Sequence, residues 1–259
     1  MRRVTLCLLL FLATACTSTD KGTTLVLAST TSTQDSGLLD LLTRQFEADN
    51  PGTQVKTIAA GSGEVLALGK NKDADVLLMH SPEQETAFMK DGHGVSRQAV
   101  MNNEFIIVGP SSDPASASNG GTIQQALALI ARSQQTFISR GDDSGTHRQE
   151  MQLWSAAGIT PTGDWYLESG QGQAETLVVA SEKSAYALTD SSTFAVTRSI
   201  DNLKALRLVG LRNPYSVIVV NDARNMAAAI SFADWLTNSK GQLVIARQGL
   251  FTPVTPAGP

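Results

Sequence analysis

The chain has few cysteines and no excess of basic residues. The first shortage restricts its disulfide content, and the second restricts its binding partners. Only 2 of its 259 residues are cysteines, and Cys7 lies in an N-terminal apolar segment that export would remove. We therefore expect at most one thiol in the mature protein and no internal disulfide. Its 20 basic residues are set against 24 acidic ones, for a net charge of -4. Since no basic surface stands out along the chain, nucleic acid is not an expected partner.

The N-terminus indicates an exported protein. Two arginines precede an apolar run at residues 6–12, which is too short for a bilayer that needs about 20 residues. Small residues close the run, so the pattern predicts a signal peptide at residues 1–15. Cys16 follows directly, which favours a lipoprotein cleavage that leaves Cys16 lipidated. Ordinary cleavage stays open, because Ala13 stands where lipoprotein signals usually have Leu.

Strands and helices alternate along the first third of the chain. Strand-like runs at residues 24–28, 54–59 and 75–79 are each followed by a polar turn and then by a helical segment. Because this alternation requires crossover connections, it predicts an open α/β sheet with parallel strands. Such sheets bind ligands beyond the carboxyl ends of their strands. We therefore expect the polar turns, including the loop at residues 29–37, to meet at one edge.

The remaining chain indicates a second lobe followed by a return to the first. A strand at residues 105–109 leads into a loop rich in Pro, Ser and Gly, and alternation then resumes. Return strands are predicted at residues 206–211 and 215–220, followed by helices at 222–238 and 239–248. We predict an α/β fold of two lobes with mixed sheets joined by two hinge strands. Lobe 1 is predicted to comprise residues 22–104 plus 213–259, and lobe 2 residues 105–212.

Four polar turns of this predicted fold suit a small anion. A tetrahedral oxyanion has only acceptor oxygens, so a buried site must supply N–H and O–H donors, and helix N-termini present several. Local donors are needed because the long-range field of an acidic protein repels the ligand. The candidate ligand-binding residues are Thr30, Thr31, Ser32, Ser62 and Gly63 on lobe 1, and Arg140, Ser144, Gly145, Thr146 and Thr189 on lobe 2. The alternative is that the Ser and Thr residues only cap helices.

Arg140 supplies a fixed positive charge in these turns. At the end of a strand and beside a Ser-Gly-Thr helix start, it can give two parallel hydrogen bonds to an anion. The alternative is a structural ion pair with Asp142 or Asp143. Both roles are compatible if Asp142 orients the guanidinium from behind. The 3 histidines show no metal-ligand spacing, so we expect neither a metal site nor a cofactor.

Several segments resemble the periplasmic tungstate-binding proteins of ABC transporters. The likeness comprises LASTTSTQDSGLL at 27–39, GSG at 61–63, DVLLMH at 75–80, NEFIIVGP at 103–110, the Ser139-Arg140 segment, WY at 165–166 and YALTD at 186–190. It implies a type II periplasmic-binding-protein fold and a periplasmic location. It also implies tungstate, or more weakly molybdate, as the ligand, Arg140 as a ligand contact, and an inner-membrane ABC permease as the partner. We expect a monomer.

A second resemblance keeps phosphate open. Residues 140–146 read RGDDSGT, which is similar to the R-x-D-x-S-G-T stretch of phosphate-binding proteins. Hydrogen phosphate carries a proton and needs an acceptor in the pocket, whereas tungstate and molybdate carry none. The third strand ends in His80 rather than in an acidic residue, which favours the unprotonated oxyanions. Asp143 and Asp190 remain candidate acceptors.

Two other classes of function are weighed against binding. A phosphate-ester hydrolase could use Ser144 with His147, but these residues share one helix start and no G-x-S-x-G elbow occurs in the sequence. An exported sensor or scaffold with an unused cleft is the other alternative. We therefore expect a binding protein rather than an enzyme.

Overall fold

The computed structural model describes residues 22–254, and its strands form one large mixed sheet and one small parallel sheet. The predicted signal peptide at 1–15 and the lipidation site Cys16 lie outside the described residues. The strands are β1 (Thr23–Thr30), β2 (Thr53–Ala60), β3 (Val76–Met79), β4 (Gly94–Pro110), β5 (Phe137–Ser139), β6 (Tyr166–Glu168), β7 (Ala187–Asp190), β8 (Leu203–Ala205), β9 (Leu211–Val220) and β10 (Thr252–Pro253).

Helices connect most of these strands. They are α1 (Thr31–Asp35), α2 (Leu38–Asp49), α3 (Ser62–Lys70), α4 (Pro82–Lys90), α5 (Ile123–Ser133), α6 (Gly145–Ala156), α7 (Gln173–Glu182), α8 (Ser191–Val196), α9 (Met226–Thr237) and α10 (Ser239–Gln248). A short 3-10 helix covers Ala117–Gly120. Between residues 22 and 254, none of the helices has both the length and the apolar character that spanning a bilayer requires.

The first three strands pair in parallel, as the alternating pattern predicts. β1 lies between β2 and β3, and Thr30 at its end is paired with Ala60 at the end of β2. The helices that make the crossovers bury one apolar face, which in α2 includes Leu42 and Phe46. The turns that follow β1 and β2 therefore begin side by side at one edge of the sheet.

Two long antiparallel strands, β4 and β9, connect the lobes. β4 has 17 residues; it pairs with β9 over residues 94–105 and with β7 and β8 over residues 105–110. One buried apolar cluster is contributed by residues 25–101 and 215–251, and two more by residues 105–206. The fold therefore consists of two α/β lobes that share one mixed sheet and are joined by two of its strands. The predicted boundaries of the lobes stay a prediction.

The predicted loop at residues 29–37 is partly wrong. β1 continues to Thr30, and the chain then turns directly into the short helix α1. Gly37 follows with a left-handed φ of 74° and starts α2, a conformation that glycine adopts readily because it lacks Cβ. The hydroxyl groups of this segment therefore sit on a helix start rather than on an open loop.

Two further predictions, for the segments on either side of β9, need correction. The strand predicted at residues 206–211 is mostly loop, although the amide of Leu206 still donates to the carbonyl of Ile107 at 2.9 Å. The helix predicted at residues 222–238 begins only at Met226. The segment before it forms a turn, because Asp222 has a φ of 53°. The hydropathy pattern alone cannot detect such a turn.

Candidate anion-binding site

A small cavity lies between the two lobes where the polar turns meet. It is lined by Thr30, Thr31, Ser32, Ala60, Gly61, Ser62, His80, Arg140, Ser144, Gly145 and Thr146. No carboxylate is present among the described lining residues. The structure thus brings together eight of the ten candidate ligand-binding residues, while their binding of a ligand stays a prediction.

Lobe 1 contributes hydroxyl groups and two helix starts. Thr30 Oγ1 lies 3.2 Å from Ser32 Oγ and 3.0 Å from Thr33 Oγ1. The N-cap residues of α1 and α3 are Thr30 and Gly61. Within residues 22–254 the Thr30 side chain makes no capping bond to its helix, and Gly61 has no side chain to make one. Amides at a helix start attract anions through the helix dipole. This wall of the cavity is therefore suited to acceptor oxygens.

Lobe 2 contributes a buried guanidinium held by its own loop. Arg140 is 5% exposed, and its Nε and Nη2 lie 3.1 Å and 2.5 Å from Oδ2 of Asp142. The other oxygen of Asp142 accepts the amide of Ser144 at 3.1 Å. Since a guanidinium carries five N–H donors in a rigid fork, this pairing still allows Arg140 to donate into the cavity that it lines. The orienting role of Asp142 stays a prediction.

The backbone of this loop is supported from behind by a buried carboxyl group. Ser139 Oγ donates to Glu150 at 2.9 Å and accepts the amide of Gly141 at 3.3 Å. Glu150 also accepts Trp154 Nε1 at 3.1 Å and the Tyr166 hydroxyl at 2.8 Å. Burial raises the pKa of Glu150 to about 7, although these hydrogen bonds act in the opposite direction. The sequence did not reveal this support, because Glu150 reads as an ordinary helical residue.

Gly145, the first residue of α6, is one point of direct contact between the lobes. Its amide donates to Ser62 Oγ at 3.3 Å. A Cβ placed on Gly145 would lie 2.7 Å from Ser81 Oγ and 3.2 Å from Ser62 Oγ. A side chain at residue 145 would therefore require these serine hydroxyls to move or the lobes to separate.

His80 lines the cavity, although the sequence analysis did not include it among the candidate ligand-binding residues. Its Nε2 lies 3.3 Å from Ser32 Oγ, and its Nδ1 lies 3.1 Å from Oδ1 of Asn213. The ring stacks on Tyr215 with 4.6 Å between centroids. Burial lowers the pKa of His80. Its position at the end of β3, where parallel sheets bind ligands, is the signal that could have identified it.

Two candidate ligand-binding residues lie outside the cavity lining. Gly63 follows Ser62 in the first turn of α3. Thr189 is fully buried, and its hydroxyl donates to the carbonyl of Asp190 at 3.2 Å. The proposed phosphate acceptors also lie elsewhere: Asp143 is exposed and pairs with Arg148, and Asp190 is the N-cap of α8.

Two α/β lobes that close on a donor-lined cavity define the class of periplasmic solute-binding proteins. A family model described as a PBP superfamily domain matches residues 17–240. The tungstate-binding protein TupA of Peptoclostridium acidaminophilum is 41% identical over 244 residues, which cover 88% of this chain and 85% of the relative.

Solved structures agree with this sequence similarity. The tungstate ABC transporter structure from Geobacter sulfurreducens has 42% identity and a TM-score of 0.80, covering 86% of this chain and 98% of that one. TupA from Desulfovibrio alaskensis G20 has 39% identity and a TM-score of 0.75, covering 89% and 98%. The chain therefore belongs to the periplasmic-binding-protein superfamily and, within it, to the TupA family.

Proposed function

We propose that this protein is the solute-binding component of an ABC importer that captures tungstate, with molybdate bound more weakly, and delivers it to a membrane permease. Membership of the TupA family supports this ligand. The observation that carries the proposal is the cavity, which Ser32 and Ser62 of one lobe line together with Arg140 of the other. A dianion with acceptor oxygens and no proton suits a wall of donors without a carboxylate.

Hinge closure assembles the binding site. In the open form, lobe 1 presents Thr30, Thr31 and Ser62. Closure then brings Arg140 and the first turn of α6 onto the oxyanion, and the bond from the Gly145 amide to Ser62 Oγ, 3.3 Å long, forms between the lobes. The closed pair of lobes is the surface that the permease recognises.

The proposed ligand contacts have three sources. Hydroxyl groups come from Thr30, Thr31, Ser32, Ser62, Ser144 and Thr146, amides from Gly63 and Gly145, and the positive charge from Arg140. Asp142 orients the guanidinium. Thr189 also belongs to the proposed ligand contacts, although it lies outside the lining in this structure.

Phosphate is the second candidate, because the loop at residues 140–146 has the Arg, Asp and Ser geometry that the phosphate-binding resemblance implies. Hydrogen phosphate also needs an acceptor for its proton. The carboxylate of Asp143 is exposed and bonded to Arg148, and that of Asp190 accepts donors from Asn103, Ser192 and Thr193. Neither lines the cavity, which favours an unprotonated oxyanion.

A titration of the purified protein tests the proposal. Tungstate, molybdate, sulfate and phosphate are each added to the ligand-free protein, and affinity is measured by calorimetry and by the shift in Tm. At about 1,000 times its Kd, a ligand stabilises the folded state by about 4 kcal/mol. We expect tungstate to give the largest shift. A larger shift with phosphate would show that phosphate, and not tungstate, is the preferred ligand. The absence of a shift with any of the oxyanions would contradict the binding function.

The location of the protein in the cell and its attachment to the membrane belong to the same proposal. The protein acts as a monomer in the periplasm, held at the membrane by lipid on Cys16 and serving an inner-membrane permease. Mass spectrometry of the protein from the membrane fraction tests the attachment, because an acylated Cys16 is heavier by the mass of its lipid. An unmodified N-terminus after residue 15 would instead support ordinary cleavage.

A further inference from the structure

A buried chain of side chains leads from the cavity through both connecting strands into lobe 2. His80 Nδ1 meets Oδ1 of Asn213 at 3.1 Å, and Nδ2 of Asn213 donates to Oδ1 of Asn103 at 2.7 Å. Nδ2 of Asn103 then donates to Oδ1 of Asp190 at 2.7 Å. The two asparagines are paired residues of β9 and β4, and all four side chains are buried.

Asp190 sets the direction of every hydrogen bond in this chain. Both of its oxygens accept, since they also receive donors from Ser192 and Thr193 in the first turn of α8. Asn103 must therefore present its NH₂ to Asp190 and its carbonyl oxygen to Asn213. Because Asn213 uses its NH₂ group to donate to Asn103, its oxygen Oδ1 faces His80. Nδ1 of His80 must therefore carry the hydrogen of this bond. This leaves Nε2 as the nitrogen of His80 that can gain or lose a proton.

Nε2 helps to set the direction of the Ser32 hydroxyl, because the two atoms are 3.3 Å apart and Thr30 Oγ1 is the other hydroxyl neighbour, at 3.2 Å. When His80 is neutral, Nε2 accepts the Ser32 hydrogen and the cavity meets only lone pairs of Ser32. When His80 is protonated, Nε2–H donates to Ser32, and the hydroxyl hydrogen becomes free for an oxygen of the ligand. An unprotonated oxyanion can use only the second arrangement.

Burial favours the neutral ring of His80 in the empty cavity, and the charge of a dianion favours the protonated ring once it enters. Burial, as the largest cause, and Arg140 across the cavity lower the pKa of His80, whereas Asp190 and the bond to Asn213 raise it. Tyr215, the titratable group stacked under the ring, has a pKa raised well above its usual value by burial and stays neutral. A dianion adds negative charge beside Nε2 and so favours its protonation.

We propose that His80, oriented by Asp190 through Asn103 and Asn213, takes up one proton from solvent when an unprotonated oxyanion is captured. His80 is thus a specificity-determining residue whose charged form is selective for dianions without protons. This inference rests on the proposed function. The inference adds that capture depends on pH. Where His80 is neutral in the empty protein and protonated in the occupied one, tungstate affinity falls by up to about tenfold for each unit by which the pH rises.

Calorimetry in buffers of different ionisation enthalpy tests the proposal on the full mature protein with tungstate. At about pH 7 we expect the binding heat to change with the buffer in proportion to uptake of close to one proton per tungstate. His80→Asn keeps a donor for Asn213 but removes Nε2, so it should bind with no uptake and a flat pH profile. His93→Gln, a histidine outside the cavity lining, is the control and should keep the uptake of the unaltered protein.

The outcomes separate this inference from the proposed function. Tight binding with a heat that is independent of the buffer would overturn the protonation of His80 and leave tungstate capture intact. Absence of binding would overturn both. If His80→Asn does not fold, ¹⁵N spectra of the histidine-labelled unaltered protein decide the matter, because tungstate must convert His80 from a ring protonated at Nδ1 to one protonated at both nitrogens. Unchanged His80 signals would refute the proposal.

Discussion

Replacing Gly145 with alanine would test whether close contact of the lobes determines affinity. Gly145 lies in the first turn of α6, where alanine is an acceptable helical residue. The added Cβ would nevertheless lie 2.7 Å from Ser81 Oγ and 3.2 Å from Ser62 Oγ, both on the other lobe. The conflict therefore arises between the lobes and not within the helix, so it is expected to act only on the closed form.

The expected loss can be worked out from these distances. With the Ser81 hydroxyl held in its present position, the lobes would have to separate by about 0.7 Å at this point, because ordinary contact begins at 3.4 Å. The bond from the Gly145 amide to Ser62, already 3.3 Å long, would then be broken, and donors from lobe 2 would lie farther from the ligand. Loss of one interlobe bond and weakening of one charge-assisted bond come to at least about 2 kcal/mol, or roughly thirtyfold in Kd.

Calorimetry with tungstate measures this loss, and a second substitution serves as its control. Ser81→Ala removes the atom nearest to the added Cβ, so the double variant Ser81→Ala, Gly145→Ala should recover part of the affinity, while Ser81→Ala alone should bind nearly normally. The ligand-free Tm of Gly145→Ala should be unchanged or slightly higher. Normal tungstate affinity in Gly145→Ala would refute the reasoning that closure at this point creates the site.

Three further predictions concern charge. Arg140→Ala should weaken tungstate binding by at least about 2 kcal/mol, because a charge-assisted bond in a buried site is lost; unchanged affinity by calorimetry would exclude Arg140 from the site. Tungstate affinity should depend only weakly on salt, because the contact is enclosed; a steep loss over modest salt would indicate a surface site. Glu150 has its pKa raised from 4.5 to about 7 by burial, so its stabilising effect is complete below about pH 4.5 and lost as the pH rises through about 7. The unfolding free energy of the unaltered protein should therefore fall between about pH 5 and pH 8, and in Glu150→Gln this fall should be smaller by up to about 3 kcal/mol. Denaturant titration at the two pH values measures both falls. Equal falls in the two proteins would contradict the prediction.

Features that depend on near neighbours in the chain could be predicted from the sequence. Alternating strands and helices gave the parallel arrangement of β1, β2 and β3, because each apolar run needs only its own periodicity to be recognised. The geometry of Arg140, Asp142 and Ser144 was also within reach, since these residues are two positions apart. The helix α1 was not predicted, because residues Thr31 to Asp35 are all polar and so lack the apolar spacing by which a helix is recognised.

The sequence by itself determined which donors the protein has and placed them at the ends of strands and the starts of helices. The tertiary structure alone decided which of them meet. It joined His80 to Asn213 and Asn103 to Asp190 across separations of 133 and 87 residues, left Thr189 outside the cavity lining, and set Gly145 against Ser81. Local pattern cannot specify such contacts, because they depend on how the packed cores of two lobes orient residues far apart in the chain.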